Sequence, residues 1–469
     1  MSTLIMKFGG TSVGNAEAIA QACSIVKSYH QDWARLVVVV SAMRGVTDSL
    51  IECAELAVQG EEDQYQSLIE QLKANHHSAM EDIISDEIEL EQLNSQFVDY
   101  ISELSEYCRS IHVLGEVTAR GMDTITSLGE RINAPLVAAA LRRQGLAAQA
   151  VDAAQLIVTD NSFQNANPLE EATRKKVNDM LVPILNEKVI PVVTGFVAAT
   201  EEGIVTTLGR GGSDYTAAIL GNSLDASEVW TWTDVDGVMT ADPRIVTNAR
   251  VIPELSFSEV SELAYFGAKV LHPKTLRPII ERDIPLWVKN TFNPASTGTK
   301  IIRSAKSDKG RVTAITTIRN LSLVTVEGRG MLGIPGIAAR TFAAVARQGA
   351  SVLMISQASS EQSICFVIPS RTVSGVIHSI ESEMELELSR RDIDRVWAQP
   401  EIVIVTAVGA GLRTTPGIAG RVFSALGEAR INVIAIAQGS SEYSISIVVA
   451  EKDADDAMRQ IHQEVILNG

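Results

Sequence analysis

The sequence has few cysteines and no segment with the composition of a membrane anchor. Its 469 residues include four cysteines, at positions 23, 53, 108 and 365, and none of them forms a CxxC pair. This pattern excludes a disulfide framework and predicts buried thiols in a reducing compartment. No apolar run reaches about 18 residues, the length needed to span a bilayer, and the start, MSTLIMKFGG, lacks the basic and apolar regions of a signal peptide. We therefore expect a cytoplasmic protein that does not bind membranes.

Positive charge is also scarce, since 40 lysines and arginines stand against 57 aspartates and glutamates. The formal net charge of −17 repels phosphate backbones and argues against broad binding to nucleic acid. A local basic pocket for an anionic substrate is still compatible with this charge. The histidines, His272 included, show no metal-ligand spacing, so we interpret them as structural and predict no metal site made by the protein alone. A chain of this length is expected to form about two to four domains.

Strand and helix patterns alternate over roughly the first 300 residues. RLVVVVSAM (35–43) is typical of a strand buried on both faces of a parallel sheet, and VIPVVTGFVA (189–198) is interpreted as a further single strand. A polar stretch from about residue 61 has helical spacing with neither Gly nor Pro, which predicts a helical insertion. The alternation predicts an α/β sandwich whose ligands bind at the carboxyl ends of the strands.

The C-terminal part contains an internal repeat. PGIAARTFAAV (335–345) returns as PGIAGRVFSAL (416–426), and ISQASSEQSI (355–364) returns as IAQGSSEYSI (436–445), both at an offset of 81 residues. Each copy is predicted to form strand, helix, strand, strand and helix, so a duplicated α+β module is expected. GRGMLG (328–333) matches a dinucleotide fingerprint, but no acidic residue follows about 20 residues later. We therefore favour a small effector over nicotinamide at this loop.

The stretch TTLGRGGSDYTAA (206–218) places glycines and charge before a helical segment. The N-terminus of a helix attracts anions, and glycines allow close approach to its backbone. A guanidinium such as that of Arg210 suits a carboxylate or a phosphate. Ser213 and Asp214 are also compatible with simple helix capping.

Three further segments carry residues suited to phosphoryl transfer. MKFGGTSVG places Lys7 at a strand end, TDVDGVMTADPR contributes acidic and basic side chains, and FGAKVLHP contributes a lysine. Phosphoryl transfer depends mainly on positioning and on charge neutralisation, which these residues can supply. No Walker A motif is present, which argues against a P-loop enzyme. Lys7 is also compatible with a solvated strand end, TDVDGVMTADPR with simple turns, and Glu130 with a solvated charge in the first turn of a helix. The residues alone indicate a nucleotide-dependent phosphotransferase with a duplicated sensor module.

Taken together, the segments resemble those of an aspartate kinase of the amino-acid-kinase family. KFGGTSVG, VVVVSAMRGVTD, SLGERINAP, TTLGRGGSDYTAA, WTDVDGVMTADPR and YFGAKVLHP occur in that family's order, and the repeat resembles paired ACT domains. The resemblance implies an α/β fold: an amino-acid-kinase three-layer sandwich over residues 1–305, with the helical insertion at 61–127. It also implies a first ferredoxin-like ACT domain over 320–395, and a second made of 311–318 plus 396–469.

The same resemblance implies a reaction and its residues. The family transfers the γ-phosphate of ATP, with Mg²⁺, to the side-chain carboxylate of L-aspartate, the first step towards lysine, threonine and methionine. Lys7 is expected to stabilise the transferring phosphoryl group, and Asp214 to orient Lys7 and organise the Mg-nucleotide. Glu130 is expected to bind the substrate ammonium and Arg210 its α-carboxylate. The other expected aspartate contacts are Ser41, Thr47, Phe196 and Ser213. The expected nucleotide contacts are Lys7, Gly9, Gly10, Thr233, Asp234, Met239, Arg244 and Lys269, with Met239 standing where some family members have tyrosine.

The resemblance also implies feedback regulation by an amino acid at the ACT domains. The SSEQSI and SSEYSI segments resemble the threonine-responsive branch, with Gln357 and Gln438 as effector contacts and lysine as the alternative effector. These glutamines are equally compatible with hydrogen bonds across an ACT interface in a homodimer or homotetramer. We expect no fused homoserine dehydrogenase after Gly469. A kinase for another small carboxylate, and an inactive sensor that uses only its ACT pair, are the alternatives.

Overall fold

The computed structural model describes residues 2–268, 271–305, 310–331, 334–357, 362–438 and 442–468. The chain divides into two compact units. The first comprises Met1–Val238, Val251–Phe257 and Val270–Ala305, and the second comprises Met239–Arg250, Ser258–Lys269 and Lys306–Gly469. Parts of the region predicted as kinase therefore belong to the same unit as the C-terminal repeat.

The first unit is built on an eight-stranded sheet with the order β3-β5-β2-β1-β8-β10-β11-β9. Its neighbouring strands are parallel except β10 and β11, and β4, β6 and β7 form a separate small sheet. The strands of this unit are β1 (Thr3–Phe8), β2 (Arg35–Val40), β3 (Ala148–Val151), β4 (Val158–Thr159), β5 (Ile190–Thr194), β6 (Val197–Thr200), β7 (Val205–Thr207), β8 (Glu228–Thr233), β9 (Glu254–Ser256), β10 (Leu286–Asn290) and β11 (Thr299–Ile302).

Helices cover both faces of the large sheet. The helices of the first unit are α1 (Ala16–Tyr29), α2 (Val46–Gln59), α3 (Glu62–Ile83), α4 (Glu87–Leu114), α5 (Ala119–Arg143), α6 (Glu170–Asn186), α7 (Gly212–Ser223) and α9 (Pro273–Glu281), whereas α8 (Phe257–Tyr265), which precedes α9 in the chain, belongs almost entirely to the second unit. On β1, Leu4, Met6 and Phe8 point into a core shared with α1 to α5, because alternate strand residues face opposite sides. Lys7 points to the other face, towards α7. The predicted α/β sandwich is confirmed.

One strand prediction for this region was wrong. The segment 189–198 is not a single strand, since β5 ends at Thr194 and β6 begins at Val197 in the other sheet. Between them Phe196 adopts a left-handed backbone conformation with φ of 66°. An apolar run carries no signal for such a turn when a non-glycine residue makes it.

The second unit contains the two copies of the repeat in one six-stranded sheet with the order β13-β14-β12-β15-β17-β16. Its strands are β12 (Ala314–Glu327), β13 (Met354–Gln357), β14 (Ser363–Pro369), β15 (Arg395–Val408), β16 (Ala435–Ala437) and β17 (Ser444–Ala450), and its further helices are α10 (Ile337–Arg347), α11 (Val373–Glu383), α12 (Glu385–Arg390), α13 (Ile418–Glu428) and α14 (Ala454–His462). Both copies have the predicted order of strand, helix, strand, strand and helix, and the expected pair of α+β modules is confirmed.

The long strands β12 and β15 connect the two modules. Residues 314–318 of β12 pair with 404–408 of β15, which pairs in turn with β17. Residues 321–327 of β12 pair with β14 of the first module on one side and with residues 395–402 of β15 on the other. The pairing of residues 314–318 with the part of β15 that joins β17 supports the assignment of 311–318 to the second ACT domain, which stays a prediction. Among the helices of the described residues, none is both long and apolar enough to cross a membrane.

Candidate active site

The carboxyl ends of the central strands are joined by backbone hydrogen bonds. Gly9 N–H donates to the Trp232 carbonyl at 3.0 Å, Ser41 N–H to the Phe8 carbonyl at 3.1 Å, and Gly195 N–H to the Val40 carbonyl at 2.8 Å. These bonds bring the loops after β8, β1, β2 and β5 to one edge of the sheet. This edge is where ligands bind in open α/β folds.

Lys7 and Asp214 form an ion pair at this edge, with 2.7 Å between Nζ and Oδ1. The Lys7 side chain is 9% exposed and that of Asp214 is 18% exposed. Thr231 Oγ1 donates a second hydrogen bond to Asp214 Oδ1 at 3.3 Å. Asp214 lies in the first turn of α7, where the helix dipole favours a negative charge. The aspartate therefore holds the lysine ammonium at a fixed position with limited access to solvent.

Two glycines allow the start of α7 to pack closely on the β5–β6 turn. A Cβ on Gly195 would lie 2.6 Å from the Cβ and Oγ of Ser213, and one on Gly212 would lie 2.5 Å from the Phe196 ring. Phe196 N–H donates to Thr216 Oγ1 at 3.0 Å, which fixes the turn on α7. This packing explains why the Gly-rich stretch precedes the helix, since larger residues would push Ser213 and Asp214 away from the sheet edge.

The glycines after β1 leave the backbone accessible beside Lys7. A Cβ on Gly9 would lie 3.7 Å from Lys7 Nζ, and one on Gly10 would lie 3.2 Å from the Ala42 carbonyl oxygen. A side chain at Gly9 would narrow the space around the ammonium, and one at Gly10 would press against the loop after β2. Short backbone loops of this kind suit phosphate groups.

Glu130 is 3% exposed and lies in the middle of α5, not in the first turn of a helix. Burial raises its pKa to about 8, and hydrogen bonding from the Ala42 backbone only partly opposes this shift. Its Oε2 atom has no hydrogen-bond partner among the described residues. One turn later, Asn133 donates to the Ser41 carbonyl at 2.7 Å, so α5 is fixed to the loop after β2. The site thus contains a buried carboxyl group that pairs with no cationic side chain in the described part of the chain.

Arg210 lies just before α7 and is exposed. No carboxylate in the described part of the chain forms an ion pair with it. The next residue, Gly211, has φ of 73° and packs against His272 and Thr275. His272 caps α9 by accepting the Lys274 N–H on Nδ1 at 3.3 Å, and burial with the nearby Arg210 charge lowers its pKa. Arg210 is therefore available for an anionic ligand, and His272 has the structural role expected of it.

The other predicted site residues are distributed over both units. Ser41, Thr47, Thr233 and Asp234 belong to the first unit. The first three are half-buried, and Thr233 Oγ1 donates a hydrogen bond to the exposed Asp234 at 3.2 Å. Met239 and Arg244 belong to the second unit, where Arg244 pairs with Asp242 at 2.6 Å. Lys269 lies outside the described residues. Gln357 and Gln438 are exposed at the ends of β13 and β16.

Sequence reasoning missed Asp123 and Thr231. Asp123 is completely buried and accepts hydrogen bonds from residues 41 and 84 positions away, and Thr231 meets Asp214 from β8. Asp123 lies seven residues before Glu130, on the same face of α5. This spacing was the sequence signal that could have identified Asp123 as a candidate site residue. The described residues contain no group of three or more His, Cys, Asp or Glu side chains that could hold a metal ion by themselves.

The chain is similar to known kinases and, over its repeat, to the ACT domain. Residues 2–290, more than half of the chain, match the amino acid kinase family, and residues 324–384 and 405–465 match the ACT domain. E. coli aspartokinase III, in complex with aspartate and ADP, is 30% identical with a TM-score of 0.78, and the match covers 99% of this chain and 100% of that one. The chain belongs to the aspartokinases of the amino acid kinase family.

One longer relative and a second structure of E. coli aspartokinase III are also similar to this aspartokinase-family chain. The bifunctional aspartokinase/homoserine dehydrogenase 1 of Arabidopsis thaliana, a chloroplastic protein, is 38% identical over 100% of this chain and 51% of its own length. The chain therefore spans about half the length of the bifunctional relative. E. coli aspartokinase III in complex with lysine and aspartate is 30% identical with a TM-score of 0.80, and the match covers 99% of this chain and 99% of that one.

Proposed function

We propose that the protein is an aspartate kinase. It transfers the γ-phosphate of ATP to the side-chain carboxylate of L-aspartate, giving 4-phospho-L-aspartate and ADP, the first step towards lysine, threonine and methionine. The observation that carries this proposal is the Lys7–Asp214 pair of 2.7 Å, which lies beside the glycine loop after β1. A fixed ammonium beside exposed backbone is the arrangement that phosphoryl transfer requires, because most of its catalysis is positioning and neutralisation of charge.

In this mechanism Lys7 contacts the transferring phosphoryl oxygens and Asp214 fixes the Lys7 ammonium. A carboxylate oxygen of aspartate attacks the γ-phosphorus, and the bond to the β-γ bridging oxygen breaks, so ADP leaves with the bonding electrons. No proton has to be removed from an ionised carboxylate. Gly9 and Gly10 give the phosphates access to the backbone, and Thr233, Asp234, Met239, Arg244 and Lys269 are proposed to hold the rest of the nucleotide.

Mg²⁺ is proposed to arrive with the nucleotide. It commonly uses one or two protein carboxylates together with substrate phosphates, and Asp214, partly exposed at the sheet edge, is an oxygen donor that fits this requirement. When bound, the ion would neutralise negative charge on the phosphates. The absence of a cluster of protein ligands among the described residues agrees with a metal that is coordinated mainly by ATP.

Two charged groups make an α-amino acid the preferred acceptor. Among the described residues the buried Glu130 Oε2 has no hydrogen-bond partner and Arg210 has no ion pair, so Glu130 is proposed to bind the ammonium and Arg210 the α-carboxylate. Ser41, Thr47, Phe196 and Ser213 are proposed to complete the pocket. A kinase for a carboxylate without an amino group would leave Glu130 buried and unpaired, which is costly.

We further propose that threonine is the feedback effector and that lysine is the alternative. A cavity of about 320 Å³ in the first ACT module is lined by the start of α10, Met331, Ile334, Gln357 and Ile364. None of its described lining residues is acidic, so a lysine side chain would find no carboxylate partner among them. The N-terminus of α10 offers backbone N–H groups to the effector carboxylate, and Gln357 offers a polar contact. Gln438 is proposed to make the corresponding polar contact with the effector in the second module. The protein is proposed to form a homodimer or homotetramer through its ACT domains.

The test measures ADP release from Mg-ATP with and without L-aspartate, with hydroxylamine trapping of the acyl phosphate. Lys7→Ala is expected to lower kcat about a thousandfold or more, whereas Lys27→Ala, an exposed lysine on α1, retains the activity. Full activity of Lys7→Ala would refute the catalytic assignment. ADP release that depends on another carboxylate but not on aspartate would support the other-carboxylate kinase, and no ADP release with any carboxylate would support the sensor.

The effector assignment is tested by adding threonine or lysine to the same assay. Threonine is expected to inhibit the unchanged protein, and Gln357→Ala is expected to lose this inhibition without losing turnover. Gln438→Ala provides the comparison in the second module. Inhibition by lysine alone would overturn the threonine assignment, and unchanged inhibition of both variants would overturn the glutamine contacts.

A further inference from the structure

Asp123 is a buried carboxyl group that the proposed mechanism does not use. It lies on α5, seven residues before Glu130, and none of its surface is exposed. Seven residues correspond to almost two full turns, so both side chains leave α5 on nearly the same face. An unpaired carboxylate at such a position would be strongly destabilising, and its partners therefore indicate its role.

In the described part of the chain, the groups that contact the Asp123 carboxyl group are hydrogen-bond donors. Thr207 Oγ1 donates to Oδ1 at 2.7 Å and Thr207 N–H donates to Oδ2 at 3.1 Å. Gln164 N–H lies 3.0 Å from Oδ1 and 2.9 Å from Oδ2. Burial raises the pKa of Asp123, and these bonds oppose the rise. An ionised carboxylate accepts hydrogen bonds and donates none, so this set of partners matches the charged form.

The two segments held by Asp123 also contact each other. Ala166 N–H donates to the Thr207 carbonyl at 3.0 Å. Gly209, with φ of 75°, approaches so closely that a Cβ there would lie 2.9 Å from the Gln164 carbonyl oxygen. Thr207 is the last residue of β7, and three residues later the chain reaches Arg210. The Asp123 carboxylate is thus connected to the backbone of the Arg210 loop directly through Thr207 and indirectly through the segment that contains Gln164.

We propose that Asp123 is a positioning residue for the aspartate pocket. It fixes the loop that carries Arg210 against the helix that carries Glu130, and so sets the separation of the groups that bind the substrate α-carboxylate and ammonium. This inference rests on the proposed function. It assigns no contact between Asp123 and substrate.

Two variants remove the connection to different extents. Asp123→Asn keeps the shape but replaces one acceptor oxygen by an NH₂ group that faces donors, so we expect KM for aspartate to rise about ten- to a hundredfold. Thr207→Val removes only the Oγ1 bond, and KM for aspartate should rise about three- to tenfold. Thr207→Ser keeps that hydroxyl and is the control, expected within about twofold of the unchanged protein. KM for ATP should stay within about twofold in all three, because no predicted nucleotide contact lies on this loop.

The separation of the two KM values distinguishes positioning from a general role in folding. An equal rise in both KM values, or an unchanged KM for aspartate in Asp123→Asn and Thr207→Val, would overturn the inference. If Asp123→Asn does not accumulate as folded protein, Thr207→Val and Thr207→Ser decide the question. Absence of aspartate-dependent ADP release by the unchanged protein would instead overturn the proposed function, and this inference with it.

Discussion

Replacing Glu130 by glutamine is expected to weaken aspartate binding and, at the same time, to stabilise the unliganded protein. Burial raises the pKa of Glu130 from 4.5 to about 8, because the charged form is poorly solvated in the interior. The ammonium of bound aspartate would supply the missing positive charge. Binding therefore selects the ionised form, and in the free protein a proton competes with the substrate.

The pKa value sets the size of both effects. With a pKa of about 8, roughly one molecule in ten carries ionised Glu130 at pH 7, and ionisation is nearly complete at pH 9. The kcat/KM for aspartate should therefore rise about tenfold from pH 6 to pH 7, about fivefold from pH 7 to pH 8, and level off above pH 9. At about 1.36 kcal/mol per pKa unit, keeping Glu130 ionised in the folded protein costs on the order of 5 kcal/mol.

The sign of the stability effect follows from proton binding. Between pH 4.5 and about 8, the folded protein holds the Glu130 proton while the unfolded chain releases it. Stability is thus lost as the pH rises through this window, and it is fully retained only below the unfolded pKa. Glutamine carries no charge and avoids this loss. We expect Glu130→Gln to be several kcal/mol more stable than the unchanged protein at pH 9, and almost equal to it at pH 5.

The assay combines kinetics at saturating Mg-ATP with urea denaturation, each from pH 5 to pH 9. Glu55→Gln, at an exposed position on α2, is the matched control and should change neither profile. A flat kcat/KM profile between pH 6 and pH 8 would refute the coupling of protonation to binding. Wild-type KM in Glu130→Gln would refute the ammonium contact, and equal stability at pH 9 would refute the cost of burial.

Two further predictions concern packing and a buried histidine. Gly195→Ala should lower both the melting temperature and kcat, because its Cβ would lie 2.6 Å from Ser213 and such overpacking costs about 1–3 kcal/mol. Gly427→Ala, at an open position in α13, is the control and should stabilise the protein by roughly 0.5–1 kcal/mol. A higher melting temperature for Gly195→Ala than for Gly427→Ala would contradict this prediction. Thr240→Val removes both the 2.9 Å hydrogen bond between Thr240 Oγ1 and His462 Nε2 and the 3.0 Å bond that Oγ1 accepts from Arg250 N–H. It should destabilise the second unit by about 1–3 kcal/mol. Because burial lowers the pKa of His462 below 6.5, stability should fall as the pH drops below that value, and a denaturation midpoint that is constant from pH 7 to pH 5 would contradict this.

The sequence predicted those parts of the fold that depend on local patterns. The β-branched run 35–43 predicted a strand, which is observed as β2. The repeat at an offset of 81 residues predicted two modules with the same order of elements, which are also observed. The break at Phe196 was not predicted, because its left-handed backbone is stabilised by packing on Gly212 and by the bond to Thr216. Those partners follow 16 and 20 residues later in the chain and leave no signal in the strand itself.

Some features of the candidate site were likewise predictable from local sequence, and others were not. By itself the sequence determined the glycines beside Lys7, the charge at the start of α7 and the duplicated module, because turn chemistry and periodicity act over a few residues. Only the tertiary structure decided that Lys7 pairs with Asp214, that Glu130 is buried with an Oε2 atom unpartnered among the described residues, and that Asp123 connects α5 to the Arg210 loop. Burial and ion pairing depend on which segments pack together, and Asp123 and Thr207 are 84 residues apart. Their proximity is a property of the folded chain, not of any short stretch of it.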